Sequence, residues 1–265
     1  MEYLLIFSQD DEDLILYHVL KNIEKICWID AGANHPVHAS VTKFFSLRGG
    51  AGINIEPQHG FYAKLKKDRP NDTSIEAGVS SEAGELELFG REGSQVASFA
   101  ESRGLNAGSQ PRKVPVITLG DICRQYFRPQ DDIHVLKIDV EGWEKQCLEG
   151  MDFQFIKPWI LCIESSGPDA SSPAHLKWEA IVTNAGYEFA MQYRVNRFYV
   201  SKEHLELKRL FLSPDKLRKI YNVTKYTDYK INEKYEKAVC KIKTCFLLRP
   251  VRFFYNWHKN RMTRR

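Results

Sequence analysis

The sequence predicts an α/β fold with a mostly parallel central sheet that is closed by an antiparallel hairpin. Four short apolar runs, each bounded by turn residues or acids, read as buried strands. They cover residues 26–30, 51–55, 134–139 and 158–164. The segments between them are long enough for crossover helices, and residues 187–201 alternate as a hairpin does. A chain of 265 residues can form one such domain and an appendage.

Helices are predicted where apolar residues recur at helical spacing between start and stop signals. Residues 10–25 open with acids, which favour a helix N-terminus, and continue with an apolar stripe. Two glycines close a predicted helix at residues 38–47, and a proline shortly follows another at residues 58–67. Further helices are predicted at residues 120–127 and 174–185, the second ended by Gly186.

Three more strands are predicted between the second and third of these apolar runs. They cover residues 74–80, which lead into a turn, residues 86–89, which alternate like an exposed antiparallel strand, and residues 114–119. Residues 91–112 are rich in Gly, Ser and Gln and are too long for an ordinary connection. That segment is either a mobile lid over a substrate or a disordered insertion.

Cysteine usage and hydropathy predict a cytoplasmic protein. The six cysteines are scattered without a C-x-x-C pair, so we expect reduced thiols. Acids interrupt the opening apolar run, which does not fit a secretory signal, and no apolar stretch is long enough to span a bilayer.

Charge divides the chain into two predicted parts, a catalytic domain at residues 1–201 and a basic, aromatic-rich helical extension at residues 202–265. The extension carries 18 Lys and Arg against 6 acids, although the whole chain has a net charge of only +4. Aromatic rings among cations suit a membrane interface, a partner protein or RNA. Because the remaining body is acidic, we favour membrane or partner docking over nucleic acid.

An acid, a glycine and a second acid form the first candidate site. Asp30 and Gly32 end one strand, and Glu56 follows the next at the spacing where an acid takes ribose hydroxyls in a βαβ nucleotide site. Asn34 and Pro36 replace the later glycines of a dinucleotide fingerprint, and an acid before the glycine repels phosphate. S-adenosylmethionine, which has an amino group and a sulfonium but no phosphate, therefore fits better than NAD.

Several ordered motifs together resemble the FkbM family of methyltransferases. They are Trp28-Ile-Asp-Ala-Gly-Ala-Asn34, Ser40-Val-Thr-Lys43, Gly52-Ile-Asn-Ile-Glu-Pro57, Leu136-Lys-Ile-Asp-Val-Glu-Gly142 and Asn196-Arg-Phe-Tyr-Val200, with a similar opening segment at residues 8–16. The resemblance covers residues 8–201. It implies a Rossmann-like class I methyltransferase fold, S-adenosylmethionine as cofactor, and methylation of hydroxyl oxygens, often on sugars of bacterial glycans or on secondary metabolites.

The resemblance also implies where the cofactor is held. Ser40 would lie on the helix beside its methionine part, and Val79 and Ser80 would flank its adenine. The full set of expected cofactor contacts is Asp30, Gly32, Asn34, Ser40, Glu56, Pro57, Val79, Ser80 and Asp139.

Three acids at strand ends are the candidate catalytic residues. Asp139 and Glu141 follow one predicted strand and Glu164 ends the next, so parallel strands would bring them to one edge of the sheet. Such carboxylates can take a proton from an alcohol, or Asp139 and Glu164 can hold a divalent metal ion. Glu141 could instead only cap the following helix. His35, in the turn after the first strand, is a further candidate base or donor.

We therefore expect an S-adenosylmethionine-dependent O-methyltransferase that acts on a sugar hydroxyl of a bacterial surface glycan or its precursor. The extension would dock it on the inner face of the cell membrane or on a glycan-assembly partner. Two alternatives stay open: a nucleic-acid methyltransferase that uses the basic extension, and a non-catalytic cofactor-binding scaffold in a glycan-assembly complex.

Overall fold

A computed structural model describes residues 1–94, 97–100, 111–165 and 173–226. Strands are numbered in chain order: β1 (Tyr3–Ile6), β2 (Cys27–Ala31), β3 (Ala51–Ile55), β4 (Thr73–Ile75), β5 (Gly78–Val79), β6 (Gly84–Leu88), β7 (Arg112–Ile117), β8 (Val135–Ile138), β9 (Ile160–Glu164), β10 (Tyr187–Tyr193), β11 (Asn196–Ser201) and β12 (Asn222–Lys225). The helices are α1 (Glu12–Leu20), α2 (Lys43–Leu47), α3 (His59–Asp68), α4 (Leu119–Tyr126), α5 (Glu144–Glu149), α6 (Glu179–Asn184) and α7 (Pro214–Ile220), with 3-10 turns at Ala174–Lys177 and Lys202–Leu210.

The central sheet has seven strands in the order β4-β3-β2-β8-β9-β11-β10. The five strands from β4 to β9 are parallel, whereas β11 is antiparallel to both β9 and β10. The chain runs outward from β2 to β4 and then returns to the other side of β2 with β8. Strand order therefore reverses between β2 and β8, where ligands bind in open α/β sheets. The predicted α/β fold, with a mostly parallel central sheet and a closing antiparallel hairpin, is confirmed.

Two apolar layers flank this sheet. One buries residues of α4, α5 and α6, and the other buries residues of α1, α2 and α7. Trp28 and Ile29, neighbours on β2, are both fully buried and belong to opposite layers. Successive side chains of a strand point to opposite faces of the sheet. Because both faces are covered by apolar layers here, β2 must be apolar at successive positions.

The strand predicted at residues 74–80 is two strands in different sheets. β4 is the edge strand of the central sheet and pairs with β3, whereas β5 joins β7 and β6 in a three-stranded sheet. Gly78, the first residue of β5, leaves room for the ring of Phe99, because a Cβ there would collide with it. Of the segment at residues 91–112, residues 95–96 and 101–110 lie outside the described residues, and Ser98 forms a bridge with Phe89.

The helix predicted at residues 38–47 begins only at Lys43. Ala39 has a left-handed backbone (φ 57°) and forms a parallel bridge with Ser8, so residues 38–42 are irregular. The helix predicted at residues 174–185 is likewise divided into a 3-10 turn and α6.

The first part of the predicted extension packs on the α/β body. β12 pairs in parallel with β1, and Leu217 of α7 is fully buried in the same apolar layer as α1. No break in packing therefore appears at the predicted boundary between residues 201 and 202. Residues 227–265, the rest of the extension predicted to be helical, lie outside the described residues. Among the residues described, no helix is long and apolar enough to cross a membrane.

Candidate active site

A cleft opens at the carboxyl ends of β2, β3 and β8. Its lining includes seven of the residues singled out in the sequence: Gly32, Asn34, Glu56, Pro57, Val79, Asp139 and Glu141. The cleft thus lies at the strand-order reversal, where the topology predicts a ligand site.

The turn after β2 brings two strand ends close together. Gly32 has a left-handed backbone (φ 77°), and its N–H and that of Ala33 both donate to the carbonyl of Ile55 at 3.0 Å. A Cβ on Gly32 would collide with the backbone carbonyl of Asp139. Only glycine fits at this position, because it must combine a positive φ with direct backbone contact.

Glu56 closes the cleft from the end of β3. Its side chain is buried, and its two carboxylate oxygens accept from the backbone N–H groups of Asn34 and Gln58, both at 2.8 Å. Burial raises the pKa of Glu56 from its ordinary value of 4.5 to about 7. Each oxygen keeps a further lone pair, so the carboxylate can accept hydroxyl donors such as those of a ribose.

Lys137, in the middle of a buried strand, was not predicted as a site residue. Its ammonium lies 3.2 Å from Asp30 Oδ1 and 3.4 Å from Asp139 Oδ2, and it donates to the carbonyl of Gly32 at 3.0 Å. Burial disfavours the charge, but the carboxylates of Asp30 and Asp139 outweigh it and raise the pKa of Lys137. A charged residue within an apolar run was the available signal, because buried lysines are almost always paired.

Asp30 and Ser40 lie beneath the cleft and do not line it. Asp30 Oδ2 accepts from the hydroxyl of Thr42 at 2.8 Å, and the guanidinium of Arg69 donates to Thr42 at 2.9 Å and to Ser40 at 3.2 Å. These buried groups form a polar layer that supports the turn. The structure therefore places the two residues behind the predicted cofactor contacts.

The three predicted catalytic acids meet at one point. Asp139, Glu141 and Glu164 each offer a carboxylate oxygen within 4.8 Å of the others, and all three are partly exposed. Glu141 has a left-handed backbone (φ 55°), and its carbonyl accepts from Ser98 Oγ at 2.7 Å. A non-glycine residue in this conformation is held there by its surroundings. The cluster can accept a proton or bind a divalent cation.

The predicted adenine contacts are divided. Val79 lines the cleft with Gly78 and Phe99, and together they form an apolar wall. Ser80 points elsewhere, since its hydroxyl accepts from the indole N–H of Trp143 at 3.3 Å.

His35 does not line the cleft, in contrast to the expectation of a base or donor. Its Nδ1 accepts from the backbone N–H groups of Val37 and His38 at 3.1 and 3.2 Å, so the ring stabilises its own turn. Burial and the neighbouring His38 lower the pKa of His35 to about 4. His38 and Gln9 line the cleft instead. No chemical pattern in the sequence distinguishes His38 from His35.

Comparison with known proteins agrees with the motifs. The family model described as Methyltransferase FkbM domain matches residues 30–189. Similar solved structures include a TehB-like SAM-dependent methyltransferase from Corynebacterium glutamicum, at 9% identity and a TM-score of 0.38, covering 72% of this chain and 88% of that one. Another is precorrin-6y C5,15-methyltransferase from Geobacter metallireducens, at 14% identity and a TM-score of 0.36, covering 74% and 89%. No curated protein matches the chain.

Proposed function

Because the chain belongs to the FkbM methyltransferase family, whose cofactor is S-adenosylmethionine, we propose that it methylates a hydroxyl oxygen of a sugar. The observation that carries this proposal is the meeting of Asp139, Glu141 and Glu164 beside the turn that follows β2. Asp139 and Glu141 line the cleft, and a carboxylate oxygen of Glu164 lies within 4.8 Å of theirs, so the cluster gives an alcohol a place to lose its proton.

The residues of the cleft fit the cofactor. Gly32 lets the turn pack directly against the backbone of Asp139, and Gly32, Ala33 and Asn34 of this turn line the cleft. Glu56 would accept the ribose hydroxyls, and Val79 with Phe99 would hold the adenine. Asn34 shapes the turn through its left-handed backbone (φ 52°) and its N–H bond to Glu56. We assign Asp30 and Ser40 to support rather than contact.

Catalysis would rest on positioning and proton removal. When bound, S-adenosylmethionine supplies an electrophilic methyl group. The cleft would hold the acceptor oxygen in line with that methyl group, which removes much of the entropic cost of the encounter. One of Asp139, Glu141 and Glu164 would accept the alcohol proton. A divalent cation held by Asp139 and Glu164 would acidify the alcohol.

For the acceptor we propose a sugar of a bacterial surface glycan or its precursor, as the family resemblance implies. The basic, aromatic-rich residues 227–265 would bring the protein to a membrane that carries such precursors. This placement rests on the sequence of that segment, in which aromatic residues are interspersed with Lys and Arg.

The test is calorimetry with S-adenosylmethionine and S-adenosylhomocysteine on three proteins, followed by methyl transfer to a panel of free and nucleotide-linked sugars. Glu56→Ala should lose about 100-fold in cofactor affinity, as expected for the loss of two charge-assisted hydrogen bonds. Asp139→Asn should bind cofactor within about threefold of the wild type and lose methyl transfer. Unchanged binding by Glu56→Ala would refute the cofactor assignment, and normal turnover by Asp139→Asn would remove Asp139 from the reaction. Added Mg²⁺ tests the cation.

A further inference from the structure

Residues 214–226, which contain α7 and β12 and end at Tyr226, form a segment that we call the strap. The strap lies outside residues 30–189, the part of the chain matched by the family model. Its strand, β12, is not part of the central sheet. It pairs in parallel with β1, near the other end of the described chain. Its contacts lead toward the cleft.

Two cations of the strap hold one buried acid. The guanidinium of Arg218 donates to both carboxylate oxygens of Asp11 at 2.9 Å, and Lys225 Nζ lies 3.0 Å from Asp11 Oδ1. Asp11 has a left-handed backbone (φ 64°), and its side chain is 5% exposed. Because a buried carboxylate and a strained backbone both need support, the strap stabilises the conformation of Asp11, which directly follows residues 8–10.

The strap also contacts residues that continue into the cleft wall. Lys225 Nζ donates to the backbone carbonyl of Gln9 at 2.9 Å. The ring of Tyr226 packs against the rings of Phe7 and His38, with centroid distances of 5.2 and 5.3 Å. Gln9 and His38 both line the cleft. A bridge between Ser8 and Ala39 joins the two backbone segments that carry them.

We infer that the strap is a positioning element of the active site, in which Lys225, Arg218 and Tyr226 hold Gln9 and His38 in place for cofactor binding. This inference rests on the proposed function, because it requires the cleft to be the cofactor site. None of the three residues lines the cleft itself, so they act through Gln9 and His38.

The experiment measures S-adenosylhomocysteine affinity by calorimetry and thermal unfolding for Lys225→Met, Tyr226→Leu and Lys225→Arg. We expect Lys225→Met and Tyr226→Leu to weaken binding about fivefold to tenfold, with small changes in Tm, because each loses one contact to the wall. Lys225→Arg keeps a charged donor and should restore most of the affinity. Lys208→Met is the matched control, since it removes a surface ion pair of 2.9 Å with Glu188 that lies away from the cleft.

The outcomes separate the two proposals. Binding lost by Glu56→Ala but unchanged in both Lys225→Met and Tyr226→Leu would overturn the strap inference and leave the proposed function standing. Binding retained by Glu56→Ala would instead overturn the cofactor assignment. Equal weakening by Lys208→Met would show a general effect of lost ion pairs and would also overturn the inference. If Lys225→Met fails to fold, Tyr226→Leu, which leaves the ion pairs intact, decides it.

Discussion

The buried carboxyl of Glu56 lies in the lining of the candidate cofactor cleft. Glu56 has a pKa raised to about 7 because burial disfavours its charge, although backbone N–H groups of Gln58 and Asn34 oppose the shift. The protonated group accepts hydrogen bonds more weakly than the carboxylate does. In the free protein the group is therefore about half ionised near neutrality, and a ligand that donates hydroxyl groups selects the ionised form.

We predict that affinity for S-adenosylhomocysteine rises as pH increases through 7. If only ionised Glu56 binds, the affinity at pH 8 should exceed that at pH 6 by about tenfold, since the ionised fraction increases by that factor around a pKa of about 7. Binding should release a proton near pH 7, which calorimetry in buffers of different ionisation enthalpy measures.

Glu56→Gln is the control for this pH dependence. It removes the titrating carboxyl group. The plot of affinity against pH should then show only the contribution of the ligand's own amino group. A profile of equal slope in Glu56→Gln would contradict the prediction. For stability the sign is opposite: a raised carboxyl pKa stabilises the unliganded fold below pH 4.5, and this contribution is lost as pH rises toward 7.

The sequence predicted the positions of the acids at the strand ends, but not the residues with which Asp30 interacts. Asp139, Glu141 and Glu164 were expected to meet because parallel strands end at a common edge, and they do. The ion pair between Lys137 and Asp30 could not be predicted, because Asp30 on β2 and Gly32 in the following turn are distant from Lys137 along the chain. For the same reason the sequence placed Asp30 in the cleft rather than beneath it.

At the scale of the element, two glycines allow the cost of a backbone collision to be compared with the cost of a strained backbone conformation. Gly32 and Gly49 have similar left-handed conformations, with φ of 77° and 85°. A Cβ on Gly32 would collide with the carbonyl of Asp139, whereas a Cβ on Gly49 would meet nothing within 4 Å. Substitution by alanine imposes the same conformational strain, about 1 kcal/mol, at both sites.

Gly32→Ala should abolish detectable cofactor binding and lower Tm by more than 5 °C, because β2 and β8 must move apart to accept the methyl group. Gly49→Ala should lower Tm by only about 2–4 °C and leave the affinity unchanged. Differential scanning calorimetry and binding titration measure both quantities. The prediction fails if the two variants lose affinity alike.

The elements that the sequence missed share one physical cause. Residues 38–42 have helical periodicity, but the bridge between Ser8 and Ala39 and the hydroxyl bond from Thr42 to Asp30 hold them in an irregular path. Residues 74–80 alternate like one strand, but their first part pairs in the central sheet and their second part pairs in the three-stranded sheet. In both cases long-range pairing overrides local preference. The four short apolar runs had no such competing contacts, and β2, β3, β8 and β9 lie where they were predicted.

At the scale of the molecule, the folded body is larger than the part that the family model matches. Residues 1–29 supply β1 and α1, and residues 202–226 supply α7 and β12, which pack on each other. Leu217 and Tyr221 are buried against this N-terminal part. The change in charge along the sequence therefore begins before the packed body ends.

We predict that a chain ending at Tyr226 keeps the fold and the cofactor site, whereas a chain ending at Ser201 does not. The chain ending at Tyr226 retains every strap contact to Asp11, Gln9 and His38. Its Tm and its affinity for S-adenosylhomocysteine should therefore match those of the full chain. The shorter one leaves Asp11 buried without its cations and exposes the apolar side of β1. Burying an unpaired charge costs about 3–5 kcal/mol, a large share of the stability of a domain.

The chain ending at Tyr226 also tests the proposed membrane docking. If residues 227–265 bind anionic membranes, the full chain should sediment with phosphatidylserine-containing vesicles at low salt, and the chain ending at Tyr226 should stay in the supernatant. Vesicle binding by the shorter folded chain would place the docking surface on the body instead. Loss of folding in the chain ending at Tyr226 would show that the basic segment stabilises the fold, since the strap alone would then not suffice to complete it.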